Sequence, residues 1–344
     1  MPARSFLARR WWAVLLLAAA IAGATGVLLA AAGGADDALV VYNGRSHYGG
    51  EEAFEDFEEQ TGIEVELFGG DADTLHERLK SEGRDTPADV LVTVDGANLW
   101  RAKEEGLLMP VRSPAVDAAV PESLRDPDGA WTALSTRVRT PVRSTERVPE
   151  DAVKSYEDLA GPEFRGRLCL RTSNNIYNQS LVADLIAKRG AARTEELLRS
   201  WMANEPRIIG NDVELIKAIA AGQCDVGLVN HYYLARELDE DPNLPVAPAW
   251  PDQDGDGAHA NLSGAGVVAT TDRRAQAIRL IEFLVQREAQ AEIAENGEFP
   301  ANPAVAPDDD VSAWAGVKTD PMDVAGAGEH AQDAVALMAE VGWR

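Results

Sequence analysis

LCLRTSNNIYNQSLVADLIAKR, residues 168–189, reads as a strand, a polar junction and a helix. Leu168–Arg171 is a short apolar run, and Gln179–Arg189 carries helical periodicity. CDVGLVNHYYLARELD, residues 224–239, repeats the layout, with a strand over Asp225–Asn230 and a short helix opened by Tyr232 and Tyr233. Upstream the same alternation holds. Strands are predicted at Leu39–Asn43, Glu64–Phe68 and Asp89–Val94, and helices at Glu51–Gln60, Thr74–Glu82 and Asn98–Glu105. Alternation of this kind implies a parallel sheet covered by helices. The second set adds helices over Thr194–Asn204 and Val213–Ala221, the latter ended by Gly222 in the usual C-terminal role. A strand over Gly266–Thr270, a helix over Arg273–Gln286, a loop over Pro300–Asp310 and a last helix over Asp333–Val341 follow. Between the two sets, Trp131–Val142 lacks helical periodicity and looks extended. Two α/β sets joined by an extended crossing imply two lobes and a hinge. Ligands of open α/β sheets bind beyond the carboxyl ends of the strands, where two lobes can close on them.

With 344 residues the chain is long enough for two such domains. Its formal net charge of −25 argues against nucleic acid or an anionic membrane surface as partner, since both would be repelled. The acids are spread along the chain, so they mark a solvated surface rather than a metal site. Residues 1–34 differ from the rest. Arg4, Arg9 and Arg10 precede an apolar run from Trp11 to Ala32, which ends in small residues. This is the layout of a secretory signal. The run also matches the ~20 residues that span a bilayer, so an uncleaved N-terminal anchor is the alternative. In either case the remainder is expected outside the cytoplasm, and no cysteine near the end of the run suggests a lipid anchor.

Of six tyrosines, four stand between a strand and the helix that follows: Tyr48, Tyr177, Tyr232 and Tyr233. In a parallel sheet these junctions share the ligand-binding edge, and a helix N-terminus favours a negative group there. A tyrosine pKa of about 10 keeps the phenol neutral at pH 7, so several phenolates in one place require a strong positive charge. A bound metal supplies it. Ferric iron, a hard cation, prefers anionic oxygen, whereas softer metals call for thiolates or clustered imidazoles. Four phenolates around a trivalent ion leave one negative charge, and His47 can add a neutral nitrogen. The residues alone leave two other readings open: aromatic stacking on an organic ligand, and plain packing.

At these junctions the chain resembles the ferric-iron solute-binding proteins of ABC importers, the type called iron-deficiency-induced protein A, within the periplasmic ferric-binding proteins. The stretches that carry the likeness are VVYNGRSHYGGEEAF, FEEQTGIEVELFGGDADTLHERLKSEG, PADVLVTVDGANLWRAKEEGLL, RTSNNIYNQSLVADLIA, AAGQCDVGLVNHYYLARELD and NLSGAGVV. They cover nearly everything from Leu39 to about Pro303; SNNIYNQSL and the paired tyrosines of NHYY are the specific motifs. The resemblance implies a two-lobed α/β periplasmic-binding-protein fold, type II-like, with a hinge and an interlobe cleft. Lobe I would hold residues 37–136 and 264–308, and lobe II residues 137–263 and 309–344. It further implies Fe(III) held by Tyr48, Tyr177, Tyr232 and Tyr233, with His47 beside them. Arg45, Arg101 and Arg236 would balance charge or hold an anion such as carbonate. The implied partners are a permease and its ATPase, the implied state a monomer, and the implied role delivery without enzymatic chemistry. A protein of the same fold for an organic ligand or oxyanion is the alternative. Ser46 separates Arg45 from His47, where the family runs Arg-His-Tyr directly, and His231 takes a place usually small and polar; here it is expected to line a loop.

Cys169 and Cys224 each lie eight residues before a junction tyrosine, Tyr177 and Tyr232. If their strands are neighbours, about 4.8 Å apart, the two can bridge; otherwise they are small buried apolar residues. Asp252, Asp254 and Asp256 resemble the start of a calcium loop, but the twelfth position is Ser263 rather than glutamate, so an acidic surface turn is expected. His76, His259 and His330 are isolated in sequence and read as surface or packing residues.

Overall fold

The computed structural model describes residues 38–45, 51–295 and 297–344. The N-terminal signal or anchor, His47 and Tyr48 lie outside the described residues. Among those described, no helix is long and apolar enough to cross a membrane.

The chain begins with β1 (Leu39–Asn43), α1 (Glu52–Thr61), β2 (Val65–Gly69), α2 (Ala72–Glu82), β3 (Val90–Thr93) and α3 (Gly96–Glu104). β1 and β3 are buried along their whole length, as strands covered on both faces must be. α1 turns Phe54 and Phe57 inward, and the Phe57 ring meets Phe283 at 5.5 Å. α2 starts two residues before the expected Thr74, because the Asp71 side chain accepts from the backbone N–H groups of Asp73 and Thr74.

β4 (Thr132–Ser144) is the extended crossing, and it is 13 residues long. Beyond it come β5 (Leu168–Arg171), α4 (Ile176–Arg189), α5 (Ala191–Ala203), β6 (Arg207–Ile209), α6 (Asp212–Ala220), β7 (Val226–Asn230), α7 (His231–Glu240) and β8 (Val246–Pro248). β9 (Ala260–Val267), α8 (Arg274–Leu284), α9 (Arg287–Ala294), β10 (Phe299–Pro300) and α10 (Ala331–Glu340) follow, with short helices over Pro114–Ala119, Asp309–Ser312 and Val324–Glu329 besides.

Two expectations change. The strand expected at Gly266–Thr270 is β9, and it starts at Ala260. Gly264 and Gly266 look like strand breakers, yet β4 runs so close that a Cβ on Gly264 would stand 2.5 Å from the Thr132 carbonyl oxygen. Moreover, the sheet is not purely parallel. All ten strands form one sheet in the order β2-β1-β3-β9-β4-β7-β5-β6, with β8 and β10 pairing β4. β1 with β2 and β3, and β5 with β6 and β7, run parallel; β9 and β4 are antiparallel to their neighbours. β4 is long enough to serve both ends of the sheet, pairing with β9 as far as Val138 and with β7 from Arg139 onward.

The hydrophobic core is divided accordingly. One cluster gathers Leu39, Phe57, Leu91, Leu99, Leu262 and Leu280; the others gather Leu168, Leu181, Trp201, Leu228 and Trp343, and Val142, Cys169, Leu215 and Val229. The fold is thus a two-lobed α/β architecture. Cys169 and Cys224 form a disulfide with Cα atoms 5.8 Å apart, since β5 and β7 are neighbours.

Candidate metal centre

Two strand-to-helix junctions of the second half bring tyrosines together. At the first, Asn175 caps α4 by accepting from the Tyr177 N–H at 3.2 Å. This cap starts the helix at Ile176, three residues before the expected Gln179, and sets Tyr177 in its first turn. At the second, Tyr232 and Tyr233 follow His231 in the first turn of α7, with their rings 4.4 Å apart. Tyr177 shares a small buried cluster with Ala72 and Val94 from the other half, and Tyr233 packs against that cluster. The cleft beside them is lined by Gly44, Gly70 and Val94 on one side and Arg171, Thr172 and Asn175 on the other.

The hydrogen-bond donors are arranged to suit oxygen acceptors. Asn230, buried at the end of β7, does not cap α7; its Nδ2 donates to the Tyr232 hydroxyl oxygen at 3.2 Å. Its Oδ1 accepts from Arg139 Nη1 at 3.0 Å. Arginine has donors only, so Arg139 fixes the amide with its NH₂ toward Tyr232, and a donor on the phenol oxygen favours the phenolate. Arg139 is itself buried and held by Asn178 at 2.9 Å, Asp212 at 3.2 Å and the Leu228 carbonyl at 3.2 Å.

Arg137, two residues along β4 and on the same face of the strand, lies over the Tyr177 ring at 4.8 Å. It donates to the Val94 carbonyl and to Ser263, and stands 4.0 Å from both Asp95 and Glu298. Burial works to discharge it, but Tyr177, Glu298, Tyr232 and Asp95 outweigh burial and hold its pKa above the usual arginine value. Arg171 behaves alike: burial opposes its charge, and Asp212, Tyr233 and Tyr177 more than restore it.

The remaining expected residues divide. Arg236 lies over the Tyr232 ring, its Cζ 5.3 Å from the centroid. Arg45 is buried and bonded to Glu298 at 2.8 Å and Ser135 at 2.6 Å, while its Nη2 has no hydrogen-bond partner among the described residues. Arg101 is not brought to the tyrosines. It pairs with Asp73 at 3.0 Å beside a separate crevice lined by Asn98, Gln179 and Ser180. His231 does not line a loop: it is fully buried, accepts from the Val138 N–H at 3.1 Å and stacks on Phe299 at 4.5 Å. Burial pushes it down to about 4, so it is a neutral packing residue. Nor is His259 isolated. With Asp184 and Asp320 it forms a buried trio whose ligand atoms lie within 4.8 Å. Lys188, 2.8 Å from Asp184 and bonded to Asp320, makes this an ionic cluster.

Arg137, Arg139, Arg171, Asn230 and Glu298 were not singled out from sequence. The alternating arginines of STRVRT, which period two puts on one face of a strand, were the available signal.

The profile of a family described as bacterial extracellular solute-binding protein matches residues 85–320. Iron uptake protein A1 of Synechocystis sp. is 40% identical over 316 residues, spanning 89% of this chain and 87% of that protein. A solved structure of Trichodesmium IdiA (FutA) in complex with iron and citrate superposes with a TM-score of 0.83 at 39% identity, covering 89% of this chain and all of the other. Mannheimia haemolytica ferric iron-binding protein A, solved in an open conformation, superposes with a TM-score of 0.78 at 32% identity, covering 89% of this chain and 99% of that one.

Proposed function

This chain belongs to the bacterial extracellular solute-binding proteins, and from that premise we propose that it is the exported ferric-iron-binding component of an ABC importer. Tyr177, Tyr232 and Tyr233 would bind Fe(III) as phenolates, joined by Tyr48 with His47 beside it. Iron is the cargo; the tyrosines give up their protons on binding it and recover them on release, with no reaction catalysed. A permease with its ATPase receives the ion from the closed form, and the binding protein acts as a monomer in the periplasm. The same-fold alternative, an organic ligand or oxyanion, fits less well with a site where an amide donates to a phenol oxygen and arginines lie against the tyrosine rings.

The observation that carries this reading is the company the tyrosines keep. Three are drawn to one place, with Asn230 donating to one phenol oxygen and buried Arg137 lying against the ring of another. Arg137, Arg171 and Arg236 offset the charge that several phenolates leave around a trivalent ion. Arg45, with a buried Nη2 still to be satisfied, is the arginine best suited to hold an accompanying anion such as carbonate. Arg101, paired with Asp73 beside its separate crevice, takes no part in this arrangement. The lobes are taken as residues 37–136 with 264–308 and residues 137–263 with 309–344; the separate core clusters support two lobes, although Leu262, Met322 and Val324 pack with the first.

Titration of the purified protein with ferric iron tests the proposal. A visible phenolate-to-iron band should develop and saturate, and the double variant Tyr232→Phe, Tyr233→Phe should lose most of its intensity and bind iron far more weakly. No band at saturating iron, or an unchanged band in the double variant, refutes it.

A further inference from the structure

The geometry points to Asp95 and Ser180 as the catch that holds the cleft shut over Tyr177, a pair of positioning residues that governs how slowly iron leaves. This inference rests on the ferric reading above.

Asp95, at the N-terminal cap of α3, is fully buried. Three of its neighbours belong to lobe I or to the strands that join the lobes: the Ala97 N–H at 2.8 Å, Asn261 Nδ2 at 2.8 Å and Arg137 at 4.0 Å. The fourth is the Ser180 hydroxyl, which comes from α4 of lobe II and donates to Asp95 Oδ2. Ser180 stands three residues after Tyr177, so both project from the same face of α4. Val94, the residue before Asp95, shares a small buried cluster with Ala72 and Tyr177 and receives Arg137 on its carbonyl. Lobe I therefore meets α4 through two consecutive residues, one clustered with the tyrosine and the other bonded to the serine one turn further on.

The hydroxyl has an alternative. Ser180 Oγ also lies 2.8 Å from the Ile176 carbonyl, and a hydroxyl has one proton to give. When the lobes are together the proton can serve the buried carboxyl of Asp95. When they part, as in the open Mannheimia haemolytica structure, it can return to its own helix while Asp95 meets water. Opening then costs the Asp95 contact but leaves α4 intact, so the pair favours the closed state without contributing a ligand to the ion.

The test compares the parent protein with Ser180→Ala and Ser180→Thr, each loaded with ferric iron and challenged with excess EDTA while the visible band is followed. A band of unaltered position and intensity in Ser180→Ala shows that the variant is folded and the iron ligands are in place. Release from it should be faster on the order of tenfold, the effect of losing one buried hydrogen bond. Ser180→Thr, which keeps the hydroxyl, should restore the parent rate. Small-angle X-ray scattering should show iron-loaded Ser180→Ala to be more expanded than the parent. Release at the parent rate, a shifted band, or equally fast release from Ser180→Thr overturns the proposal. Absence of any band in the parent would instead refute the ferric reading.

Discussion

Removing the Asn230 amide should weaken ferric binding without dismantling the site. Asn230 and Tyr232 are both buried, and Nδ2 donates to the phenol oxygen at 3.2 Å. A hydrogen bond to a charged group contributes about 1.5–3 kcal/mol, and every ~1.4 kcal/mol is tenfold in an equilibrium constant. Asn230→Ala should therefore bind Fe(III) roughly ten- to a hundredfold more weakly than the parent. Arg139 loses one acceptor but keeps Asn178, Asp212 and the Leu228 carbonyl, so it stays in place. Asn230→Asp is the sharper variant. It preserves an acceptor for Arg139 but sets a carboxylate against the phenol oxygen, and like charges at that distance oppose phenolate formation. The order of affinity should be parent, then Asn230→Ala, then Asn230→Asp. Competition against a chelator of known ferric affinity at fixed pH measures all three, with thermal unfolding as the control for folding. Parent-like affinity in Asn230→Ala, or tighter binding in Asn230→Asp than in Asn230→Ala, would refute the idea that this amide supports a phenolate.

Two further outcomes concern stability. The disulfide closes a separation of 55 residues, for which loop-closure entropy gives about 4 kcal/mol; the double variant Cys169→Ala, Cys224→Ala should lose up to that much in denaturant unfolding, and an unchanged midpoint would refute it. The His259 cluster adds a pH dependence: burial opposes its imidazolium, but Asp184 and Asp320 outweigh it and hold the pKa up to about 9, against an ordinary 6.5. Its contribution is therefore full below pH 6.5 and fades as pH rises through about 9, so the difference in melting temperature between the parent and His259→Gln should shrink over that window; a difference that grows there would show the sign to be wrong.

The sequence carried the local structure well wherever periodicity and burial agreed. Leu39–Asn43 and Leu168–Arg171 stand where the apolar runs put them. Helix starts came out late where a polar cap did the work, at Asp71 and Asn175, because a cap belongs to the turn before any apolar repeat begins. β9 lies six residues earlier than the expected start at Gly266, in a stretch whose glycines gain their role only from a second backbone pressed against them. The single continuous sheet was out of reach, since it depends on β4 pairing with β9 and β7, far away in the chain. The tyrosines were legible as a set because each follows a strand. Their supporting residues were less so: Arg137 and Arg139 gain meaning only once β4 is seen to pass beneath both junctions. His259, Asp184 and Asp320 come from three distant segments that no local pattern connects.

The disulfide has a meaning in coordination chemistry. β5 leads to Tyr177 and β7 leads to Tyr232 and Tyr233, and each strand is tied to the other by a cysteine eight residues before its tyrosine. In a small-molecule chelator, the framework between donor atoms sets the bite, and stiffening it raises affinity because fewer shapes are surrendered when the ion arrives. Under the proposed ferric reading, the linked pair of strands is such a framework. The disulfide then does more than stabilise a lobe: it fixes the span between the donor arms before any metal is met.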